Sequence, residues 1–147
     1  MKRFYEDFEV GEVYEHLTGR TMQPVDNVWL SLLTMNTNPL HFDYHYSSKT
    51  EFGKPLVDSC LTLAILTQEG FANLGWDEVV MPHPLFDGDT IYSKSEVLEK
   101  RESDTHSDRG IVRVKTTGVN QNGVTVMQFK RTFLVYKISA TNNASSK

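Results

Sequence analysis

Asn36-Thr37-Asn38-Pro39-Leu40-His41 runs straight on into Phe42-Asp43-Tyr44-His45-Tyr46, and this loop gathers the most chemically able side chains of the chain. Pro39 ends the helical periodicity before it, because proline lacks the amide hydrogen and restricts the residue that precedes it. His41 is therefore presented from irregular backbone. An imidazole with an unperturbed pKa of about 6.5 trades protons at neutral pH, and Asn36 lies upstream across the break, where the chain can fold back on itself. The pair has the makings of a water clamp with one deficiency: an amide can hold a water but cannot take its proton. A hydration mechanism built here needs a base from elsewhere.

His41-x-Asp43-x-His45 also offers good ligand types for a divalent metal. Two-residue steps share one side only on a strand, and no further Cys or His cluster is evident, so no metal site is expected. Asp43 is better read as orienting the loop by accepting backbone hydrogen bonds. His16, His83 and His106 lack recognisable partners and read as structural or surface residues. Cys60, the single cysteine, cannot form an internal disulfide and sits in an apolar run, where a small buried hydrophobe is expected.

The elements that must position this loop follow from hydrophobic spacing. Tyr14 to Arg20 suits a short strand. Pro24 can open a helix in which Val25, Val28, Trp29, Leu32 and Leu33 recur at helical spacing, and that helix delivers Asn36. Tyr44 to Thr50 reads as a helical turn closed by Phe52-Gly53-Lys54-Pro55. Asp58-Ser59, both good cap types, then start a segment from Cys60 to Thr67 that reaches on toward Phe71 and Leu74. It is apolar nearly all round, so other elements must wrap it. Glu78 to Phe86, Thr90 to Arg101, Arg109 to Val119 and Val124 to Tyr136 are strand-like. Asn122-Gly123 signals a type I′ hairpin, and Asp87-Gly88-Asp89 marks another turn. One buried helix followed by long antiparallel strands gives an α+β domain in which a curved sheet encloses the helix, the hot-dog fold. That fold puts the start of the central helix near the His41 loop if both lie at the same end of the sheet.

Length and composition set the outer bounds. A chain of 147 residues fits one domain, here 1–138, followed by a polar tail at 139–147 that is expected to be disordered. Its 39% hydrophobic and 23% charged content suits an ordinary soluble protein, and no apolar run approaches the roughly 20 residues that span a membrane. The opening residues lack the apolar core of a secretory signal, so a cytoplasmic location and no membrane partner are expected. A net charge of −4 argues against nucleic acid.

Four stretches carry a resemblance. Phe4-Tyr5-Glu6-Asp7-Phe8 with Val10-Gly11 opens it, and the Asn36 to Asp43 loop, Phe52-Gly53-Lys54-Pro55-Leu56-Val57 and Pro84-Leu85-Phe86-Asp87-Gly88-Asp89-Thr90 follow. Together they resemble the MaoC-like family of R-specific enoyl-CoA hydratases and dehydratases. Two positions depart from the family pattern: its catalytic aspartate maps onto Asn36, and the His-Gly pair that opens its central helix maps onto Asp58-Ser59. A branch carrying Asn-Thr-Asn-Pro is similar to hydratases of branched C5 dicarboxylic esters such as mesaconyl-CoA or itaconyl-CoA. Asp26-Asn27-Val28-Trp29, Leu33-Thr34-Met35 and Asn73-Leu74-Gly75-Trp76-Asp77-Glu78 look like that branch too. The resemblance implies reversible addition of water across the α,β double bond of an enoyl-CoA thioester. Coenzyme A is then part of the substrate, no separate cofactor is needed, and a homodimer or higher homo-oligomer is expected.

Such a reaction needs a water aimed at C3, a proton for C2 and a stabiliser for negative charge on the thioester oxygen. His41 is the candidate for activating the water and Asn36 for orienting it through its side-chain carbonyl. A backbone N–H around Ser59 or Cys60 would meet the oxyanion at the helix start, and Asn38, Ser59 and Cys60 are the candidates for binding substrate. Asp58 is open to two readings, a second carboxylate that supplies the missing base or a plain helix cap. Lys49, Lys54, Arg113, Lys115, Lys130 and Arg131 are candidates for the coenzyme A phosphates. A non-catalytic acyl-CoA binder and a hot-dog thioesterase are the alternatives.

Overall fold

The computed structural model describes residues 3–16, 18–67 and 70–140. Its frame is an antiparallel sheet of β1 (Val13–Glu15), β2 (Arg20–Thr21), β3 (Ala72–Val80), β4 (Thr90–Glu102), β5 (Arg109–Asn120) and β6 (Thr125–Tyr136). The strands run in the order β1-β4-β5-β6-β3, with β2 also paired to β4. β4, β5 and β6 alternate buried and open positions because successive side chains leave a strand on opposite faces. The inward set divides into two clusters. Phe8, Val97, Val112, Val114, Phe133 and Val135 form one, and Met22, Leu66, Leu85, Ile91, Met127 and Phe129 are in the other.

The second cluster seats α3 (Ser59–Leu66), the central helix. A Cβ at Gly118 of β5 would come within 2.6 Å of Leu66 Cδ1, so glycine lets the helix lie directly on the sheet. This is the hot-dog architecture. The helix is shorter than its apolar pattern suggests: it ends at Leu66, and the segment expected to carry it toward Leu74 is strand β3 instead. It is also covered on one side only. Thr62 and Leu66 are buried, whereas Ser59, Cys60 and Ala64 are open. Cys60 is therefore exposed, not the buried hydrophobe its neighbours suggest.

Two further differences have local causes. The strand expected over Glu78 to Phe86 lies earlier, because Pro82 and Pro84 have no N–H to give and the ladder to β6 stops at the Val80 and Gln128 pair. In the β5–β6 hairpin only Gly123 has positive φ, at 76°, where a type I′ turn requires two such residues. Asn120 closes the loop by accepting the Gly123 N–H and donating to the Val124 carbonyl. The 139–147 tail lies for the most part outside the described residues.

Helix α1 (Pro24–Thr34) starts at its proline as expected and ends at Met35, which takes a left-handed φ of 54°. Its stripe of apolar residues points outward. Trp29 is 67% exposed, Leu32 73% and Leu33 81%, while the buried residues of the helix are Asn27 and Ser31. α1 is thus held to the domain by its polar side. After it come a short 3-10 turn, Pro39–His41, and α2 (Tyr44–Ser47).

Candidate functional site

The loop satisfies its own backbone first. Asn38 Oδ1 accepts the Leu40 N–H at 3.1 Å and caps the 3-10 turn, and Asp43 Oδ1 accepts the Tyr46 N–H at 2.9 Å and caps α2. Asn38 accordingly serves the turn through its carbonyl oxygen, and the residue is exposed. Tyr44 donates its hydroxyl to Asp87 Oδ2 at 2.9 Å, which pins α2 to the turn before β4. That hydrogen bond to a carboxylate, with burial adding to it, raises the tyrosine above its ordinary pKa.

His41 and Asp58 meet inside this frame. His41 Nδ1 lies 3.1 Å from the Leu56 carbonyl oxygen, which can only accept. Nδ1 therefore carries a proton, and in the neutral ring the lone pair is on Nε2. Nε2 points toward Asp58 Oδ2 at 3.7 Å, with the two side chains 12% and 8% exposed. The same Oδ2 accepts from Asn36 Nδ2 at 2.9 Å. Asn36 Oδ1 in turn accepts the Asn38 N–H at 3.0 Å. A carboxylate only accepts and an amide N–H only donates, so the orientation of the Asn36 side chain is unambiguous. Its carbonyl faces its own loop and its N–H faces Asp58, the reverse of the water-orienting carbonyl expected from sequence.

The other oxygen of Asp58 caps α3. Oδ1 accepts the Cys60 N–H at 2.7 Å and the Leu61 N–H at 3.4 Å, and the Asp58 carbonyl accepts the Thr62 N–H at 3.0 Å. The two readings of Asp58 are thus not exclusive: one oxygen serves the helix and the other faces His41. Of the N–H groups at the start of α3 that the helix itself cannot pair, these bonds leave Ser59 as the one with no acceptor among the described residues. Cys60, named with Ser59 as an oxyanion donor, has its N–H engaged by Asp58.

Ser59 lines a cleft of about 320 Å³ whose walls include Phe52, Leu56, Val57, Thr62 and Met127. Leu56, Val57 and Ser59 in its wall flank Asp58 in sequence, where the strap of residues 56–58 leads into α3, and most of its lining is apolar. Among the described residues no group of His, Cys, Asp and Glu could hold a metal ion. The proposed phosphate ligands separate clearly. Arg131 is fully buried with Nη1 on Asn73 and cannot reach a solvent-borne phosphate. Arg113 pairs with Asp77 at 2.9 Å and Lys130 with Glu78 at 2.5 Å. Lys49 sits on His45, and Lys54 lies 4.5 Å from the Phe86 ring centre, on the segment that leads into the strap.

One residue of this arrangement escaped the sequence reading as a site residue. Asn27 of α1, 1% exposed, reaches the strap from behind. Its signal was an asparagine, a poor helix former, in mid-helix on the side away from the apolar stripe.

Comparison with known proteins decides the family: the sequence pattern described as MaoC like domain matches residues 7–120. The chain belongs to the MaoC-like family. This MaoC-like domain is 31% identical over 119 residues to the beta-methylmalyl-CoA dehydratase of Chloroflexus aurantiacus, covering 76% of the chain and 34% of that protein. It is 27% identical over 143 residues to the mesaconyl-CoA hydratase of Cereibacter sphaeroides, covering 92% and 41%. The domain therefore spans between a third and about two fifths of the length of these curated relatives. Among solved structures, the monoamine oxidase regulatory protein from Archaeoglobus fulgidus superposes with a TM-score of 0.78 at 31% identity, covering 92% of this chain and 95% of that one. The family is one of hydratases and dehydratases, and the sequence resemblance to it holds.

Proposed function

We propose that this MaoC-like domain adds water reversibly across the α,β double bond of an enoyl-CoA thioester, with a branched C5 dicarboxylic acyl group as the preferred substrate. The observation that carries the reading is the convergence of His41 Nε2, the lone-pair nitrogen of the neutral ring, and Asp58 Oδ2, a carboxylate oxygen, 3.7 Å apart. That spacing is too long for a direct hydrogen bond and suits a water that donates one hydrogen to each. Both acceptors then leave the water oxygen a lone pair for C3. His41 takes the proton as the C3–O bond forms and passes it to C2, so that hydroxyl and hydrogen add across the double bond. Asp58 holds the water and stabilises the imidazolium, and Asn36 keeps Asp58 turned toward the site. The Ser59 N–H, at the helix start, is the donor suited to the thioester oxygen; such donors contribute about 3 kcal/mol to a transition state.

The acyl preference is supported by the names of the two curated relatives and by the branch signatures around Asn36. The outward apolar side of α1 and the open side of α3 support an assembly of at least two domains, which light scattering would report as a multiple of 16.8 kDa. The deciding assay offers crotonyl-CoA, mesaconyl-CoA and itaconyl-CoA while following enoyl absorbance and free thiol. Loss of absorbance without thiol, fastest with a C5 dicarboxylic ester, is expected. Thiol release would make the protein a thioesterase, and binding with neither signal would make it an acyl-CoA binder.

A further inference from the structure

We propose that Asn27 is a positioning residue that sets the tautomer of His41 and the placement of Asp58 from a helix that touches neither reacting atom. The strap between loop and helix is anchored amide by amide on different elements. Leu56 N–H donates to the Leu40 carbonyl in the loop at 3.1 Å, and Val57 N–H donates to the Leu85 carbonyl at 2.8 Å. Asp58 N–H donates to Asn27 Oδ1 at 2.9 Å. Asn27 Nδ2 then donates to the Leu56 carbonyl oxygen at 2.8 Å, the same oxygen that accepts His41 Nδ1–H. One buried amide therefore holds both the carbonyl that fixes the histidine and the backbone of the residue whose carboxylate faces it.

Packing alone would not call for an asparagine here. A buried amide is costly unless its hydrogen bonds are made, and an apolar side chain would fill the same space on a helix. With the Nδ2 donor removed, the Leu56 carbonyl loses one of its two donors and the peptide is held only by Val57 N–H and by His41 itself, so the acceptor of His41 Nδ1–H is no longer fixed from behind. A neutral His41 then populates its Nε2–H form, which cannot accept a proton from water on the Asp58 side.

The catalytic half of this inference rests on the hydratase reading, so the experiment carries one readout that does not. Chains labelled with ¹⁵N-histidine are compared as wild type, Asn27→Asp and Asn27→Ala, with a His41→Gln spectrum to assign the signal. Asn27→Asp is isosteric and keeps the acceptor for Asp58 N–H, so it serves if Asn27→Ala does not fold. Wild type is expected to show His41 as the single Nδ1–H tautomer and each folded variant a mixture. Turnover with the best enoyl-CoA substrate is expected to fall about 10-fold to 100-fold in kcat with KM within about threefold, the signature of misplaced groups and not of lost binding. A folded variant that keeps a single tautomer, or keeps wild-type kcat, overturns the proposal. A tautomer shift in a protein that hydrates nothing would uphold the positioning role and sink the hydratase reading alone.

Discussion

The two sides of the site handle their polar atoms differently. In the loop, Asn36 Oδ1, Asn38 Oδ1 and Asp43 Oδ1 all accept backbone N–H groups of the loop and its following turn, which leaves His41 Nε2 and the Asn36 Nδ2 donor for work outside. At the helix start a single residue is divided: Asp58 gives Oδ1 to the cap and Oδ2 to the site. The difference teaches that the atoms available to a ligand here are those left over once local backbone is satisfied. It also accounts for the two departures from the family pattern. Where the pattern has a carboxylate in the loop and a histidine at the helix start, this chain has its carboxylate at the helix start, in contact with the loop amide that stands in the old position.

The sharpest way to break this comparison is to remove the one lone pair on the loop side. His41→Ala should lower kcat about 10²-fold to 10⁴-fold with thioester binding nearly unchanged, measured by steady-state kinetics beside calorimetric binding. Near wild-type turnover would take His41 out of the mechanism. The division of Asp58 is tested by two substitutions at one position. Asp58→Asn keeps an oxygen for the cap and should lose about 10²-fold in kcat with little change in melting temperature. Asp58→Ala should lose as much activity and a further ~1 kcal/mol of stability, the usual value of a cap. Equal melting temperatures for the two would show that Oδ1 contributes nothing to the helix. The mildest effect is expected from Asn36→Asp, which restores the family residue but sets two carboxylates against each other where an amide now donates at 2.9 Å. Like charges at that range force one group to hold a proton, so a loss of about 10-fold at pH 8 should shrink as pH falls and the shared proton is supplied. A flat ratio to wild type across that range would mean that the two groups do not interact.

Much of this was legible because it is local. The alternation in β4, β5 and β6, the proline that opens α1 and the cap types at Asp58-Ser59 each act within a few residues, and each element appears where its pattern lies. Periodicity in α1 correctly grouped Val25, Trp29, Leu32 and Leu33 on one face. It carries no information on which way a face points, and this one points out. β3 was hidden by Leu74, which with Phe71 also reads as a helix tail, and by prolines whose effect on pairing depends on a distant partner. In the site, the loop could be read as a unit, whereas the divided role of Asp58 depends on Asn36 and His41 approaching from far along the chain. Asn27 was harder still, since both of its partners are backbone groups about 30 residues away.

The divided carboxylate has a consequence for how this protein can change over generations. At most positions selection can trade folding against turnover through separate substitutions, but in the proposed mechanism one side chain, Asp58, answers to both. A library screened only for product formation would be filtered for helix integrity at that position as well. Drift there is confined to residues that satisfy two unrelated demands at once, which narrows the alphabet far below what either demand would allow.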